Sequence, residues 1–462
     1  MDMMHTISIE EAQSIILKQV SALEPAVEEV NVLDALGRVI AKDLYSDIDV
    51  SPFAHSAMDG FAVLASDVEK ASEGAPVYLK IAACIGAGDV FERALEPGEC
   101  VRIMTGAATP DGEVGVVKIE DVTFAASLDC DGASVEGAGA DEGAGATGVG
   151  AGEGEGAGAT VAGEAKGEVG EYICVKAPVA VGKNIRAVGE EVHAGELAFK
   201  KGEIVKPAGV GLLASTGNLT VPVYARPKVG IIINGSELVP SEQVPGPGKI
   251  RDSNSWSIAA YVVEAGGIPV NYPIVEDDPD AIRAAYVKAF AECDCVVSTG
   301  GACLGDFDFS PKVIDELGEL LFTRVSMRPG KSQPFGMVDG KPVFVLSGNP
   351  AASAVGFEMF ARIALRAMQG YTDFDRPRVK ARLAVDQKKH ESRVFLQRGT
   401  VTRDEKWSEG TDMSAYVAAP FKKQSSGLNG ELQNANALIV LPEGVRDWKA
   451  GEIVDCLLIA PL

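Results

Sequence analysis

Val229-Gly230-Ile231-Ile232-Ile233-Asn234-Gly235 is a short apolar run that stops at a turn pair. It predicts a buried strand. Downstream, a helix is expected from about Ser255 to Glu264, stopped by Gly266-Gly267. A strand near 270–275 and a helix near 280–291 come next, then a strand at 295–298 that closes on Gly300-Gly301. A helix near 311–317, strands at 320–326 and at Val343-Phe344-Val345-Leu346, and a helix after Pro350 complete the region 225–372. Alternating strands and helices predict a parallel sheet covered on both faces. In such sheets ligands bind beyond the carboxyl ends of the strands.

The flanks read differently. Ser8-x-x-Glu11 is a capping box ahead of Ile15, Ile16, Leu17 and Val20, which places a helix at the N-terminus. A second short helix is expected from Val32 to Gly37, and Pro52 breaks regular structure. Residues 77–225 are mostly strand-like and divided by turns such as Glu96-Pro97-Gly98 and Pro110-Asp111-Gly112. Residues 376–462 are again β-rich and predict a small barrel or sandwich. The expected fold is therefore multidomain, α/β plus β.

The chain has 462 residues, enough for about three domains. Acids outnumber bases 66 to 42, giving a net charge of −24. That balance argues against broad binding to nucleic acid or an anionic membrane, and an anionic ligand would need a local cationic pocket. Eight cysteines without a Cys-x-x-Cys pair, and four histidines, argue against a disulfide scaffold and a His-rich metal site. The start of the chain is no signal peptide, and there is no run of about 18 apolar residues, so a soluble protein of a reducing compartment is expected. Residues 131–170 hold 14 Gly, 10 Ala, eight acids and one lysine, the composition of a flexible acidic insert.

Four strand ends of the α/β region carry glycine: Asn234-Gly235-Ser236-Glu237, Ser298-Thr299-Gly300-Gly301, Arg328-Pro329-Gly330-Lys331 and Ser347-Gly348-Asn349-Pro350. Glycine lets backbone N–H groups approach an anion, and Pro350 suits the first turn of a helix whose N-terminus favours negative charge. Arg324, Arg328 and Lys331 supply local positive charge. The carboxylates Glu237, Asp277, Asp278, Asp306 and Asp308 follow these strands, and such an oxygen-rich set suits Mg²⁺. Asp278 precedes Pro279 and reads as a helix cap, whereas Asp308 reads as a site residue. His55 reads as structural or exposed, and Cys303 as a buried inert thiol.

Taken in order, Ser56-Ala57-Met58-Asp59-Gly60-Phe61-Ala62-Val63, Arg102-Ile103-Met104-Thr105-Gly106-Ala107, Gly182-Lys183-Asn184-Ile185-Arg186 and Gly189-Glu190-Glu191 form a series. With the last three strand-end motifs, they resemble the molybdopterin molybdenumtransferase family of the MoeA type, which includes the gephyrin E domain. The resemblance runs over residues 5–462 apart from the 131–170 insert. It implies an elongated four-domain chain: a discontinuous first domain (5–50 plus 187–224), a β-rich second (51–186), a central α/β third (225–372) and a β-barrel fourth (373–462). It implies a reaction in which molybdate and adenylylated molybdopterin are substrates, the adenylate is cleaved with Mg²⁺, AMP leaves and molybdenum reaches the dithiolene. Asp59, Thr105, Glu237, Asp277 and Asp308 are then the expected catalytic residues. Ser298, Gly300, Gly301, Arg324, Arg328, Lys331, Ser347, Gly348 and Asn349 are expected to hold substrate phosphate and oxyanion. Glu191, Glu237 and Asp308 are the expected metal ligands. The resemblance further implies a cytoplasmic homodimer whose active-site cleft crosses the subunit interface, with molybdopterin adenylyltransferase as upstream partner.

The sequence departs from the family pattern at Glu191 (usually Asp), Ser236 (usually Asp), Ser332 and Ser347 (usually Pro) and Ala352 (usually Ser). These changes motivate a competing reading, a binding or scaffold protein that kept the fold. Preference for tungstate over molybdate is a further alternative. The preceding adenylylation step is another, argued against by the extra domains.

Overall fold

The computed structural model describes residues 5–125, 166–303, 308–404 and 415–462. The chain divides into two compact units. One comprises Met1–Lys42, Lys201–Lys206 and Thr220–Leu462, the other Asp43–Lys200 and Pro207–Leu219.

The first unit is built on a seven-stranded sheet. Its order is Thr6–Ile7, Glu319–Val325, Ser332–Val338, Lys341–Leu346, Cys295–Thr299, Lys228–Ile233, Ile268–Asn271. The last four strands are parallel, as the alternation predicts. All five residues of Cys295–Thr299 are buried, which explains its apolar run: both faces are covered. The strand expected near 270–275 lies at Ile268–Asn271, and Val275 instead bridges Asn234.

The sheet is mixed rather than wholly parallel. Ser332–Val338 runs antiparallel to both neighbours. Its Pro334 and Gly336 hide it in the sequence, because proline cannot donate to a ladder. The structure accommodates Pro334 where the register against Glu319–Val325 shifts, at a bulge.

Helix boundaries follow local chemistry. Ser8 caps the helix Ile9–Ser21 by accepting from the Glu11 amide at 3.0 Å. Ile9, Ala12, Ile16 and Val20 recur at helical spacing and enter the same core as Val229, Phe322 and Phe357. Asp278 caps Pro279–Glu292 by accepting from the amides of Asp280 and Ala281, with Pro279 in the first turn. The helix expected from Val32 to Gly37 is a single 3-10 turn, Val32–Ala35, ended by Gly37 at φ +75°.

The C-terminal region closes into a barrel. Val394–Arg403 pairs with both Tyr416–Pro420 and Ala437–Leu441, and the ring is completed through Arg378–Leu383 and Ile453–Leu458. Leu383, Val401, Ile439 and Trp448 fill it.

The second unit holds a six-stranded sheet in the order Val114–Lys118, Gly60–Leu64, Glu99–Ile103, Val77–Ile85, Tyr172–Val175, Val122–Ala125. Alternate residues build two cores, Phe61, Val63 and Ile81 on one side, Ala62, Val101 and Val116 on the other. Most of the acidic Gly/Ala stretch lies outside the described residues. Its last five residues are fixed: Arg102 donates to the carbonyls of Lys166 and Gly167, and the Gly170 amide to Ile81. Among the described residues, no helix is long and apolar enough to cross a membrane.

Candidate active site

At the carboxyl edge of the sheet the chain segments press together. The Asn234 amide donates to the Thr299 carbonyl at 3.1 Å, and the Asn234 side chain is buried. Gly300 and Gly301 turn beside it with φ of +97° and +56°. A Cβ on Gly300 would lie 2.1 Å from the Asn234 carbonyl oxygen, so only glycine fits. Asp277 ties the next loop: its carboxylate accepts from Asn234 Nδ2 (3.2 Å), the Ser236 amide (2.8 Å) and Ser236 Oγ (2.9 Å). Where the family pattern has a second carboxylate, the Ser236 hydroxyl donates to Asp277 instead of repelling it. Glu237 is exposed, and its carboxylate folds over Gly235, where a Cβ would meet Oε2 at 2.8 Å.

Asn254, in the first turn of the Asn254–Glu264 helix, joins two more loops. Its Nδ2 donates to Thr299 Oγ1 (3.0 Å) and to the Gly348 carbonyl (2.9 Å). Gly348 and Asn349 are exposed at this edge, and Asn349 is the N-cap of Pro350–Gly356, with Pro350 in its first turn. Ser347 donates to the Ser332 carbonyl at 3.3 Å. Ser298, expected at the anion site, does not present its hydroxyl there. It is fully buried and shares a 2.6 Å hydrogen bond with the Tyr286 hydroxyl inside the sheet.

The basic residues are spread. Arg324 is half-buried within its strand, in register with Thr6 and Ser332. Arg328 pairs with Glu391 and stacks over Phe395 at 5.1 Å. Lys331 is exposed after Gly330. Asp308 is half-buried just ahead of the Ser310–Leu317 helix, and Asp306 lies outside the described residues. Cys303, expected buried, is exposed.

Asn234, quoted above only as part of a turn, holds this edge together with two residues that the sequence motifs do not include, Asn254 and Gln333. Asn234, Asn254 and Gln333 are buried, and each leaves its amide oxygen without a partner. Buried polar atoms are normally satisfied, so three orphaned acceptors around one edge mark a place built for something else. Arg398, in the barrel, is a second such signal. It is fully buried, its Nη2 donates to the Lys423 and Ser425 carbonyls, and Nε and Nη1 have no partner. Burial pushes its guanidinium below the usual arginine range. Gln424 clasps the Arg398 backbone from both sides, and the adjacent Ser426 carbonyl accepts from the Ala351 amide in the helix that follows Asn349. Only its place in a β-run is readable from sequence; burial of the charge is not.

In the second unit Asp59 and Thr105 meet. Asp59 Oδ1 accepts from the Thr105 amide (2.7 Å) and hydroxyl (2.8 Å), and these bonds, the amide first, hold its carboxyl below the usual aspartate range. Gly106 turns at φ +83° and donates to the Ser56 carbonyl, closing the two loops. Glu191 belongs to this unit, is exposed, and anchors its amide on Val50. Among the described residues, no three His, Cys, Asp or Glu side chains gather as a metal cluster. The expected ligands Glu191, Glu237 and Asp308 are divided between the two units.

Three family descriptions match the chain in order: the MoeA N-terminal region (domain I and II) over 7–217, a probable molybdopterin-binding domain over 230–367, and the MoeA C-terminal region (domain IV) over 380–459. Molybdopterin molybdenumtransferase of Bacillus subtilis (strain 168) is 34% identical over 94% of this chain and 90% of its own. That of Staphylococcus aureus (strain COL) is 31% identical over 98% and 95%. Among solved structures, the molybdopterin biosynthesis MoeA protein of Pyrococcus horikoshii is similar, with a TM-score of 0.75 and 28% identity over 99% of this chain and all of that one. By sequence over almost its whole length, and by fold, the chain belongs to the MoeA family of molybdopterin molybdenumtransferases.

Proposed function

We propose that this enzyme of molybdenum cofactor biosynthesis transfers molybdenum from molybdate to molybdopterin by way of the adenylylated pterin. The adenylate is cleaved, AMP leaves, and the metal reaches the dithiolene sulfurs. The observation that carries this reading is the strand edge itself. Gly300, Gly301 and Gly348 present backbone at the edge, beside the Asn234, Asp277 and Asn254 tethers. Phosphoryl chemistry asks of a protein mainly positioning and charge stabilisation, and this edge is built by positioning bonds.

The roles divide accordingly. Gly300, Gly301, Gly348 and Asn349 hold phosphate, with Arg324, Arg328 and Lys331 supplying charge. The Arg398 guanidinium, whose Nε and Nη1 have no partner, lies in the barrel near the segment whose Ser426 carbonyl accepts from the Ala351 amide, and it favours an oxyanion nearby. Asp277 positions Ser236 and Asn234, and Asp59 and Thr105 act from their own loops in the same reaction.

The strand edge carries hard oxygen donors of the kind Mg²⁺ takes. The orphaned Asn234 Oδ1 and the Glu237 carboxylate are hard oxygen donors, and Asp308 adds another. Glu237 and Asp308 would hold it; Glu191, the third expected ligand, belongs to the second unit. Bound there, it would neutralise charge on substrate phosphate. The chain is read as a cytoplasmic homodimer supplied by molybdopterin adenylyltransferase.

The test is AMP release from adenylylated molybdopterin and Mg²⁺, with and without molybdate, followed by chromatography. Molybdate-dependent AMP supports the reading. Tight pterin binding without AMP under any oxyanion overturns it in favour of a scaffold.

A further inference from the structure

Three of the strand-end loops belong to strands that lie side by side in the order Ser332–Val338, Lys341–Leu346, Cys295–Thr299. Backbone ladders join each strand only to its neighbours, so the first and third of these share none. Side chains close that gap. Ser332, 9% exposed, donates from Oγ to the Ala302 carbonyl at 2.5 Å, past the end of the middle strand. Ser347, the residue after Leu346, donates from Oγ to the Ser332 carbonyl at 3.3 Å. Asn254 supplies the remaining tie, since its Nδ2 reaches both Thr299 Oγ1 and the Gly348 carbonyl. Each pair of loops therefore has its own side-chain tie, and the three ties make a closed triangle.

Lys331 is set by the same device. Its carbonyl accepts from the Val325 amide at 2.9 Å. Gly330 before it turns at φ +80°, and the Gly330 carbonyl accepts from Gln333 Nε2 at 3.1 Å. The Ser332 bonds fix the other side, so an exposed lysine stands on backbone held before and after it. Proline, usual in the family pattern at 332 and 347, has no hydroxyl and could make neither serine bond. The two departures, 15 residues apart in sequence, are thus in contact and form one change. We propose that Ser332 and Ser347 are positioning residues: together they fix the spacing of the Gly300-Gly301, Lys331 and Gly348-Asn349 loops, so that one phosphate of the pterin substrate is held by all three. The proposal rests on the reading above, in which these loops hold phosphate, and adds what sets their spacing. Each hydroxyl already donates to a carbonyl, so both serines act through the loops and not as donors to the substrate.

The test uses the full chain with Ser332→Ala, Ser347→Ala and the double variant. Molybdopterin is titrated calorimetrically, hydrogen exchange is followed across residues 295–303, and molybdate-dependent AMP release is measured over a range of adenylylated pterin. Ser332→Ala is expected to weaken molybdopterin binding and raise KM about tenfold, with kcat moved much less, because the phosphate is held alike before and during the reaction. Exchange at Gly300, Gly301 and Ala302 should quicken. Ser347→Ala, which removes the longer bond, should do the same to a smaller degree. The double variant should cost less than the product of the two single factors, since either loss already opens the triangle. Faster exchange with affinity and KM unchanged would overturn the positioning role and leave the bonds as structural ones. Exchange, affinity and KM all unchanged would overturn the triangle, and single factors that multiply in full would overturn the joint device. If the unaltered chain binds molybdopterin but releases no AMP, the reaction fails while affinity and exchange still decide the positioning; if it binds none, both readings fall.

Discussion

Asp277 and Asp59 each place a carboxylate against a hydroxyl and a backbone amide, Ser236 in one case and Thr105 in the other. They are built by different means. The Asp277 loop is one of several strand ends that exclude one another sterically and leave the oxygens of Asn234 and Asn254 orphaned. The Asp59 clasp is local and exposed. In the first region, geometry comes from burial spread over distant segments; in the second, from one loop folding on another. Damage should therefore spread in the first and stay confined in the second.

The sharpest way to break that contrast is Gly300→Ala. A side chain there meets the Asn234 carbonyl and needs a left-handed backbone, so a stability loss on the order of 3 kcal/mol is expected in denaturant unfolding. Gly348→Ala is its control, because the added Cβ would have its nearest neighbour at 3.5 Å, an ordinary contact. An unchanged midpoint in Gly300→Ala would mean that the strand ends are not closed sterically.

Next in size is Asp277→Ala. It strips the Asn234 side chain of its partner and frees the Ser236 amide, which should lower stability by about 1–3 kcal/mol and depress AMP release. Full stability with full turnover would remove Asp277 from both roles.

For Asp59 the expected effect is on pH. Its folded pKa lies below the unfolded value, so the clasp contributes fully above the unfolded value and is lost as pH falls through the folded one. The Thr105 amide shift in NMR should therefore titrate below the ordinary aspartate value of about 3.9. An inflection at or above that value would contradict the two bonds from Thr105.

The smallest effect is expected from deleting residues 131–165 while keeping 166–170. Unfolding should move by less than about 0.5 kcal/mol, with activity retained. Extending the deletion through Gly170 should hurt more, since Arg102 and Ile81 hold that end.

Much of the fold was legible because it was local. The Ser8 and Asp278 caps and the apolar run of Lys228–Ile233 carry their own signals, and the glycines at 300 and 301 announce a tight approach. The Ser332–Val338 strand was not legible, because Pro334 and Gly336 argue against a strand and only the bulge opposite Glu319–Val325 reconciles them. The same limit applies to the site. Glycines and carboxylates stand out by type, but nothing local turns Ser298 inward to Tyr286, buries Arg398 or frees Cys303 to solvent. Those outcomes depend on residues far away in sequence.

The strand Thr6–Ile7 and the helix behind it are finished by segments hundreds of residues later: Thr6 pairs with Arg324 in the central sheet, and Ile16 lies in one core with Leu396 and Leu457 of the barrel. On the ribosome, at about 5–20 residues per second, that segment emerges ahead of its partners and waits tens of seconds for them. The second unit does not wait, since its last segment ends at Leu219. Synthesis thus completes the unit nested in the sequence before the one around it, whose helix Ile9–Ser21 must be kept from wrong company until the barrel residues emerge.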